Sequence, residues 1–246
     1  MRADVLLHLY GHCESRTLAG KLIREGRVFA NGIKVKKPSE ELETFCLIEV
    51  KDSPLTRYVS RGGLKLEAAL DAFGIDVEGK VFCDIGASTG GFSHCMLQRG
   101  AKKAYCVDVG TAQLHPKLRF DKRVAVMENT NARELGRDSF PEAVQMVVMD
   151  VSFISQALLY DAVFDILPEG GEFVSLIKPQ FEVGRENLGK NGIVKKPAAI
   201  QSACHGLKLK LEERGFEIKG IIESPIEGGD GNKEFLQYSV KRKKET

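Results

Sequence analysis

This 246-residue chain lacks several common features, and each absence narrows its chemistry. Its six cysteines, Cys13, Cys46, Cys83, Cys95, Cys106 and Cys204, are scattered, with no C-x-x-C pair. That speaks against a disulfide or zinc framework and for reduced thiols in a cytoplasmic protein. No metal site is expected. No apolar run approaches roughly 18 residues, so no membrane-spanning helix and no stable membrane association are expected. The first thirty residues carry charges throughout, so no signal peptide is read. Net charge is only +2, so any basic surface for nucleic acid must be local. The dinucleotide pattern G-x-G-x-x-G is missing as well.

What is present is an ordinary globular composition, 43% hydrophobic and 28% charged. At this length one large domain or two unequal ones fit. Asp52-Ser53-Pro54 breaks the pattern and divides the chain into residues 1–57 and 58–246.

The second part is organised around Val81-Phe82-Cys83-Asp84-Ile85-Gly86-Ala87-Ser88-Thr89-Gly90-Gly91-Phe92. An apolar run predicts a buried parallel strand. An acid near its end leads into D-x-G-x-x-x-G-G, and a helix is expected from Phe92 to Arg99. Glycines there let backbone approach a ligand closely; the alternative is a glycine-rich turn with no ligand. Lys102–Gly110 reads as a second strand ending in Asp108-Val109. An acid there can accept hydrogen bonds from ribose hydroxyls, or serve only as a turn residue.

Further strands are expected at 124–128, 144–150, 173–178, 216–224 and 234–241. Asn131, after the third, either reaches an adenine edge or makes a polar turn. The fourth ends in Asp150-Val151-Ser152-Phe153, without the two prolines that mark methylation of base amines. The fifth ends in Lys178, a cation costly to bury unless it has a task. Glu234 opens the last strand. Residues 188–196 read as a mobile glycine- and lysine-rich loop over the site, and 197–214 as a helix with Ile200, Ala203, Leu207 and Leu211 inward. Gly228–Asn232 reads as a loop and the basic C-terminal tail as frayed. Lys65 lies on a helix before the first strand, with Leu64, Ala68 and Leu70 as its apolar side; alone it is an ordinary surface lysine.

In the first part, Val5, Leu6, Leu9 and Tyr10 recur at helical spacing. Ser15 or Glu14 caps a second helix with Leu18, Ala19, Leu22 and Ile23 inward. Strands follow at 28–30, 33–37 and 47–50, with Asn31-Gly32 as a hairpin signal.

The stretch SRTLAGKLIREGRVFANGIKV resembles the RNA-binding domain named after ribosomal protein S4. That likeness implies that Arg16, Lys21, Arg24 and Arg27 face phosphates of structured RNA; otherwise they form a solvated basic face. The glycine turn resembles the first motif of S-adenosylmethionine (SAM) methyltransferases. Lys65, Asp150, Lys178 and Glu234, in that order, resemble the tetrad of FtsJ-like RNA ribose 2′-O-methyltransferases. Nearly the whole chain resembles the TlyA, or hemolysin A, family, described as rRNA cytidine 2′-O-methyltransferases.

The resemblance implies an α/β fold: a Rossmann-like sheet of seven strands, mostly parallel with the last antiparallel, beside a small α+β RNA-binding domain. It implies SAM as cofactor, held by Asp84, Gly86, Ser88, Thr89, Gly90, Gly91, Phe92, Asp108, Val109, Asn131 and Asp150. It implies ribosomal RNA or ribosomal subunits as partner. The ribose hydroxyl is a weak nucleophile whose proton must leave as the new bond forms. A neutral lysine can accept it, although free lysine titrates at about 10.4. Lys178 is the expected base, Lys65 a second cation favouring its neutral form, Asp150 its brace and Glu234 the partner of Lys65 or of the hydroxyl. Competing readings are a SAM-binding assembly factor with weak or lost methylation, a membrane-active hemolysin, and a methyltransferase acting on a base or a protein.

Overall fold

The computed structural model describes residues 1–13, 15–51, 53–228 and 231–243. Glu14, Asp52, two residues of the 228–232 loop and the last three of the tail lie outside them. The chain divides into two compact units, Met1–Tyr58 and Val59–Thr246.

The first unit opens with α1 (Ala3–Leu9) and α2 (Arg16–Arg24), followed by β1 (Val28–Ala30), β2 (Ile33–Lys34), β3 (Ile48–Val50) and the short α3 (Pro54–Arg57). Ser15 caps α2 by accepting from the Leu18 amide at 3.2 Å, an interaction worth about 1 kcal/mol. Asn31 and Gly32 both take positive φ, as a two-residue hairpin turn requires, so β1 and β2 pair antiparallel. The core is Ala3, Leu7, Cys13, Ala19, Leu22, Ile23, Val28, Ala30 and Val35. Two expectations fail here. Leu9 and Tyr10 are exposed because α1 ends at Leu9 and its inward stripe is Ala3, Leu6 and Leu7. The second strand stops at Lys34, and Val35 turns into the core.

The second unit begins with α4 (Gly62–Phe73). It then runs β4 (Val81–Ile85), α5 (Gly91–Gln98), β5 (Lys103–Val107), α6 (Pro116–Arg119), β6 (Val124–Met127), β7 (Met146–Met149), α7 (Tyr160–Ile166), β8 (Glu172–Ile177), α8 (Pro197–Glu213), β9 (Phe216–Glu223) and β10 (Phe235–Lys241). Among the described residues these strands form one seven-stranded sheet, ordered β6-β5-β4-β7-β8-β10-β9. Only β10 runs antiparallel to its neighbours. Strand alternation sends Cys83, Ile85, Tyr105, Val107, Val147, Met149 and Phe173 into a core shared with Val163 and Ile166 of α7 and Leu207 and Leu211 of α8. The intervening Asp84 and Cys106 reach Ser93 of α5.

Two features of this topology position the site. The strand order reverses between β4 and β7, which opens a crevice at their carboxyl ends. Because β10 is antiparallel, Phe235 pairs with Ile177. Glu234, which precedes β10, therefore arrives at the edge where Lys178 leaves β8.

The inward stripe of α4 is Gly63, Lys65, Leu66, Ala69 and Leu70, with Leu64 and Ala68 only half-buried, unlike the expected apolar side. Residues 188–196, the expected loop, form a turn with contacts of its own. Leu188 bridges Val194, and buried Asn232 accepts from the Val194 amide at 3.0 Å and donates to the Gly192 carbonyl at 3.1 Å.

Candidate active site

The turn from β4 to α5 is built on left-handed backbone at Gly86, Ser88 and Gly90. A Cβ on Gly86 would sit 2.5 Å from the Asp150 carbonyl oxygen, so only glycine lets the turn close on the end of β7. A Cβ on Gly90 would strike Leu118 and Leu114, and one on Gly91 would strike Ser60. Asp84 is buried behind this turn. Its Oδ2 accepts from the Ser93 amide at 3.0 Å and the Ser93 hydroxyl at 2.7 Å. Its Oδ1 has no partner among the described residues, yet Asp84 lines the cavity in front of the turn. Burial pushes its carboxyl up to about 7, against the pull of Ser93.

That cavity holds about 270 Å³ and is also lined by Lys65, Gly86, Ser88, Thr89, Gly91, Phe92, Asp150, Ser152 and Lys178. A second cavity, of about 530 Å³, shares Gly86, Ser88, Asp150 and Ser152 with it and extends past Asp108, Val109, Gln113 and Asn131. Asp108 Oδ2 accepts from the Ser88 amide at 2.8 Å and Oδ1 from the Gly110 amide at 2.7 Å. A carboxylate has about four acceptor positions, so capacity for ribose hydroxyls remains. The Asn131 oxygen caps the following turn at the Arg133 amide, and its amide donates one of its two hydrogens to Glu134 at 2.8 Å. It also borders the larger cavity.

The two lysines meet this crevice as two ion pairs. Lys178 Nζ lies 2.6 Å from Asp150 Oδ1 and donates to Ser152 Oγ at 2.8 Å. Lys65, on α4, donates to Glu234 Oε2, and both side chains are buried. Lys65, Asp150 and Lys178 line the smaller cavity; Glu234 stands behind Lys65.

A model of the FtsJ-like methyltransferase family matches residues 58–241, and a model of the S4 domain matches residues 1–45. The chain belongs to the FtsJ-like methyltransferase family. The YqxC protein of Bacillus subtilis is 46% identical over 96% of this chain and 84% of that protein. The 16S/23S rRNA (cytidine-2′-O)-methyltransferase TlyA of Mycobacterium tuberculosis is 40% identical over 96% of this chain and 88% of that protein. A solved structure from Streptococcus thermophilus superposes with a TM-score of 0.77 at 45% identity, covering 98% of this chain and 88% of that one.

Three residues of the FtsJ-like unit escaped the sequence reading. Phe153 is 88% exposed at φ +67, and its ring centroid lies 5.1 Å from that of Phe181. A bulky residue in left-handed backbone is strained, and such strain gathers at functional sites. An aromatic directly after the acid-ended strand was the signal in the sequence. Ser152, bonded to Lys178, carried no signal of its own. Neither did Glu128, whose carboxylate accepts from the amides of Ala112, Gln113 and Leu114 and from Arg119 at 2.6–3.1 Å. Those contacts hold its carboxyl down at about 2, led by the Arg119 guanidinium. They clamp the 110–115 loop, whose Gln113 lines the larger cavity.

In the S4 unit, Arg16, Arg24 and Arg27 are exposed and Lys21 is half-buried. Arg16 lies 3.0 Å from buried Asp4, which Arg2 and Arg16 hold at about 2. Among the described residues no helix is long and apolar enough to cross a membrane, and no His, Cys, Asp and Glu cluster fits a metal ion.

Proposed function

We propose that this chain transfers a methyl group from SAM to the ribose 2′-hydroxyl of a cytidine in ribosomal RNA, with Lys178 as the base. The observation that carries the reading is the joining of two lysine–carboxylate pairs, Lys178–Asp150 and Lys65–Glu234, to the carboxyl edge of a sheet bearing the glycine turn.

The cavities fit SAM on three counts. Asp84, whose buried Oδ1 has no partner among the described residues, lines a space suited to the methionine ammonium. Gly86 and Gly90 let the turn close on Asp150, Leu114 and Leu118 beside that space, and Asp108 stands where ribose hydroxyls would be held. When bound, SAM supplies a methyl group on a sulfonium and retains the electron pair of the broken carbon–sulfur bond. The chain's own task is the proton. As the ribose oxygen bonds to the methyl carbon, its O–H proton passes to the lone pair of Lys178 Nζ, and Asp150 steadies the ammonium that forms. Lys65, held by Glu234, orients the hydroxyl.

The RNA side of the reading rests on Phe153 and the S4 unit. An exposed aromatic beside the base suits stacking on an extruded nucleobase. Arg16, Lys21, Arg24 and Arg27 suit phosphate contacts that position structured RNA. Cytidine in ribosomal RNA is the substrate that the Mycobacterium tuberculosis relative's name gives. An enzyme of that substrate works in the cytoplasm, on ribosomal subunits.

The test uses labelled SAM with separated, unmodified small and large ribosomal subunits. Label in rRNA within an alkali-resistant dinucleotide is expected, because a methylated 2′-oxygen cannot attack its phosphate. Label on a base or on a ribosomal protein would contradict the reading. No transfer despite SAM binding would favour an assembly factor.

A further inference from the structure

We propose that Ser152 is a positioning residue for Lys178, fixing the rotation of its amine so that the lone pair faces the target hydroxyl. This rests on the reading of Lys178 as the base.

A neutral lysine amine has two hydrogens and one lone pair. Nothing in the lysine stem prevents its terminal group from spinning about the Cε–Nζ bond. One accepted hydrogen stops the rotation but leaves the lone pair two positions, and a carboxylate beside the amine disfavours the one that faces it. Here Nζ lies 2.6 Å from Asp150 Oδ1 and donates to Ser152 Oγ at 2.8 Å. Ser152 takes one hydrogen, and the Asp150 carboxylate, paired with Nζ by charge and not by an aligned hydrogen bond, repels the lone pair, so one direction remains for it. Asp150, Ser152 and Lys178 line the same cavity, so the ion-pair partner, the acceptor and the base share one space.

The backbone supports this placement. Asp150 and Ser152 are two residues apart in the segment leaving β7. The left-handed conformation of Phe153, φ +67, turns the chain immediately after Ser152. The cost of holding a phenylalanine there sets the course of the segment beside Lys178. Ser152 is itself exposed, so neither packing nor a buried hydrogen-bond network accounts for its position. Its described contact at this site is Lys178. After transfer the ammonium carries three hydrogens; Ser152 keeps one, Asp150 balances the charge, and one proton is then released to water.

The test uses the full-length enzyme with Ser152→Ala, Ser152→Thr and Lys178→Ala. Three quantities are read: single-turnover methyl transfer at saturating SAM and RNA, KM for RNA, and SAM affinity by calorimetry. Ser152→Ala should lose about tenfold or more in transfer rate, the weight of one hydrogen bond to a group that becomes charged. Its RNA KM and SAM affinity should stay within about twofold. Ser152→Thr, which keeps the hydroxyl, should recover most of the rate. A wild-type rate in Ser152→Ala, or a loss confined to KM or to SAM affinity, would overturn the inference. The Lys178→Ala arm separates the two readings. If that variant is inactive while Ser152→Ala is unimpaired, only the role of Ser152 fails; if it transfers at the wild-type rate, the base itself is wrong.

Discussion

Lys65 and Glu234 form an ion pair across 169 residues of sequence, with side chains only 10% and 3% exposed. Separating two buried charges leaves one without compensation, a penalty of about 3–5 kcal/mol. Glu234→Ala should therefore destabilise the methyltransferase unit by about 3 kcal/mol in urea unfolding. Replacing both partners, with Lys65→Met and Glu234→Leu, should restore most of that stability while leaving the enzyme inactive. A double variant no more stable than the single one would show that the pair adds nothing to the fold.

Asp84 links the fold to pH. The folded carboxyl titrates at about 7, against an ordinary value of 3.8. Between those values the folded chain holds a proton that the unfolded chain has released, so stability falls as pH rises. The contribution is complete below about pH 4 and gone above about pH 7. Asp84→Asn does not titrate. It should gain on the wild type by about 4 kcal/mol across that window and run parallel to it outside. Urea unfolding at several pH values checks this, and a pH-independent difference between the two proteins would contradict it.

Glu128 acts on the cofactor side through the loop that it clamps. Glu128→Ala frees the amides of Ala112, Gln113 and Leu114 together with Arg119. The loop must then be ordered at the expense of binding energy. SAM affinity should weaken about tenfold by calorimetry, with little change in the transfer rate at saturating SAM. Glu128→Gln, which keeps acceptor capacity, should lose less. Unchanged affinity in both variants would remove Glu128 from the cofactor site.

Arg24 and Arg27 are exposed on the S4 unit. If they contact phosphate, Arg24→Ala and Arg27→Ala should each reduce the slope of log binding constant against log salt by about one. Filter binding of rRNA fragments over a salt series measures that slope. Equal slopes in variant and wild type would return these residues to a solvated basic face.

The legible parts of the sequence were those fixed by local pattern. The apolar run before Asp84-Ile85-Gly86 announced a parallel strand, and Asn31-Gly32 announced a hairpin. The strand-end positions of Asp150 and Lys178 followed from the apolar runs that they close. What stayed hidden depended on contacts between distant residues. The inward face of α4 includes Lys65 because Glu234 receives it, and no periodicity within the helix carries that fact. Glu128 and Ser152 look like a strand-end acid and a loop serine until the fold brings backbone amides to one and a lysine to the other. Asn131 makes the turn contact to Glu134 and also lines the larger cavity, so neither of its two sequence roles displaces the other.

The central claim is that Lys178 accepts the proton, and single-turnover transfer by Lys178→Ala tests it most directly. SAM and RNA affinities should be measured on the same preparation. Lys178→Ala should lose about a hundredfold or more in transfer, with both affinities within about twofold of wild type. Transfer at the wild-type rate, at an alkali-resistant site, would contradict it.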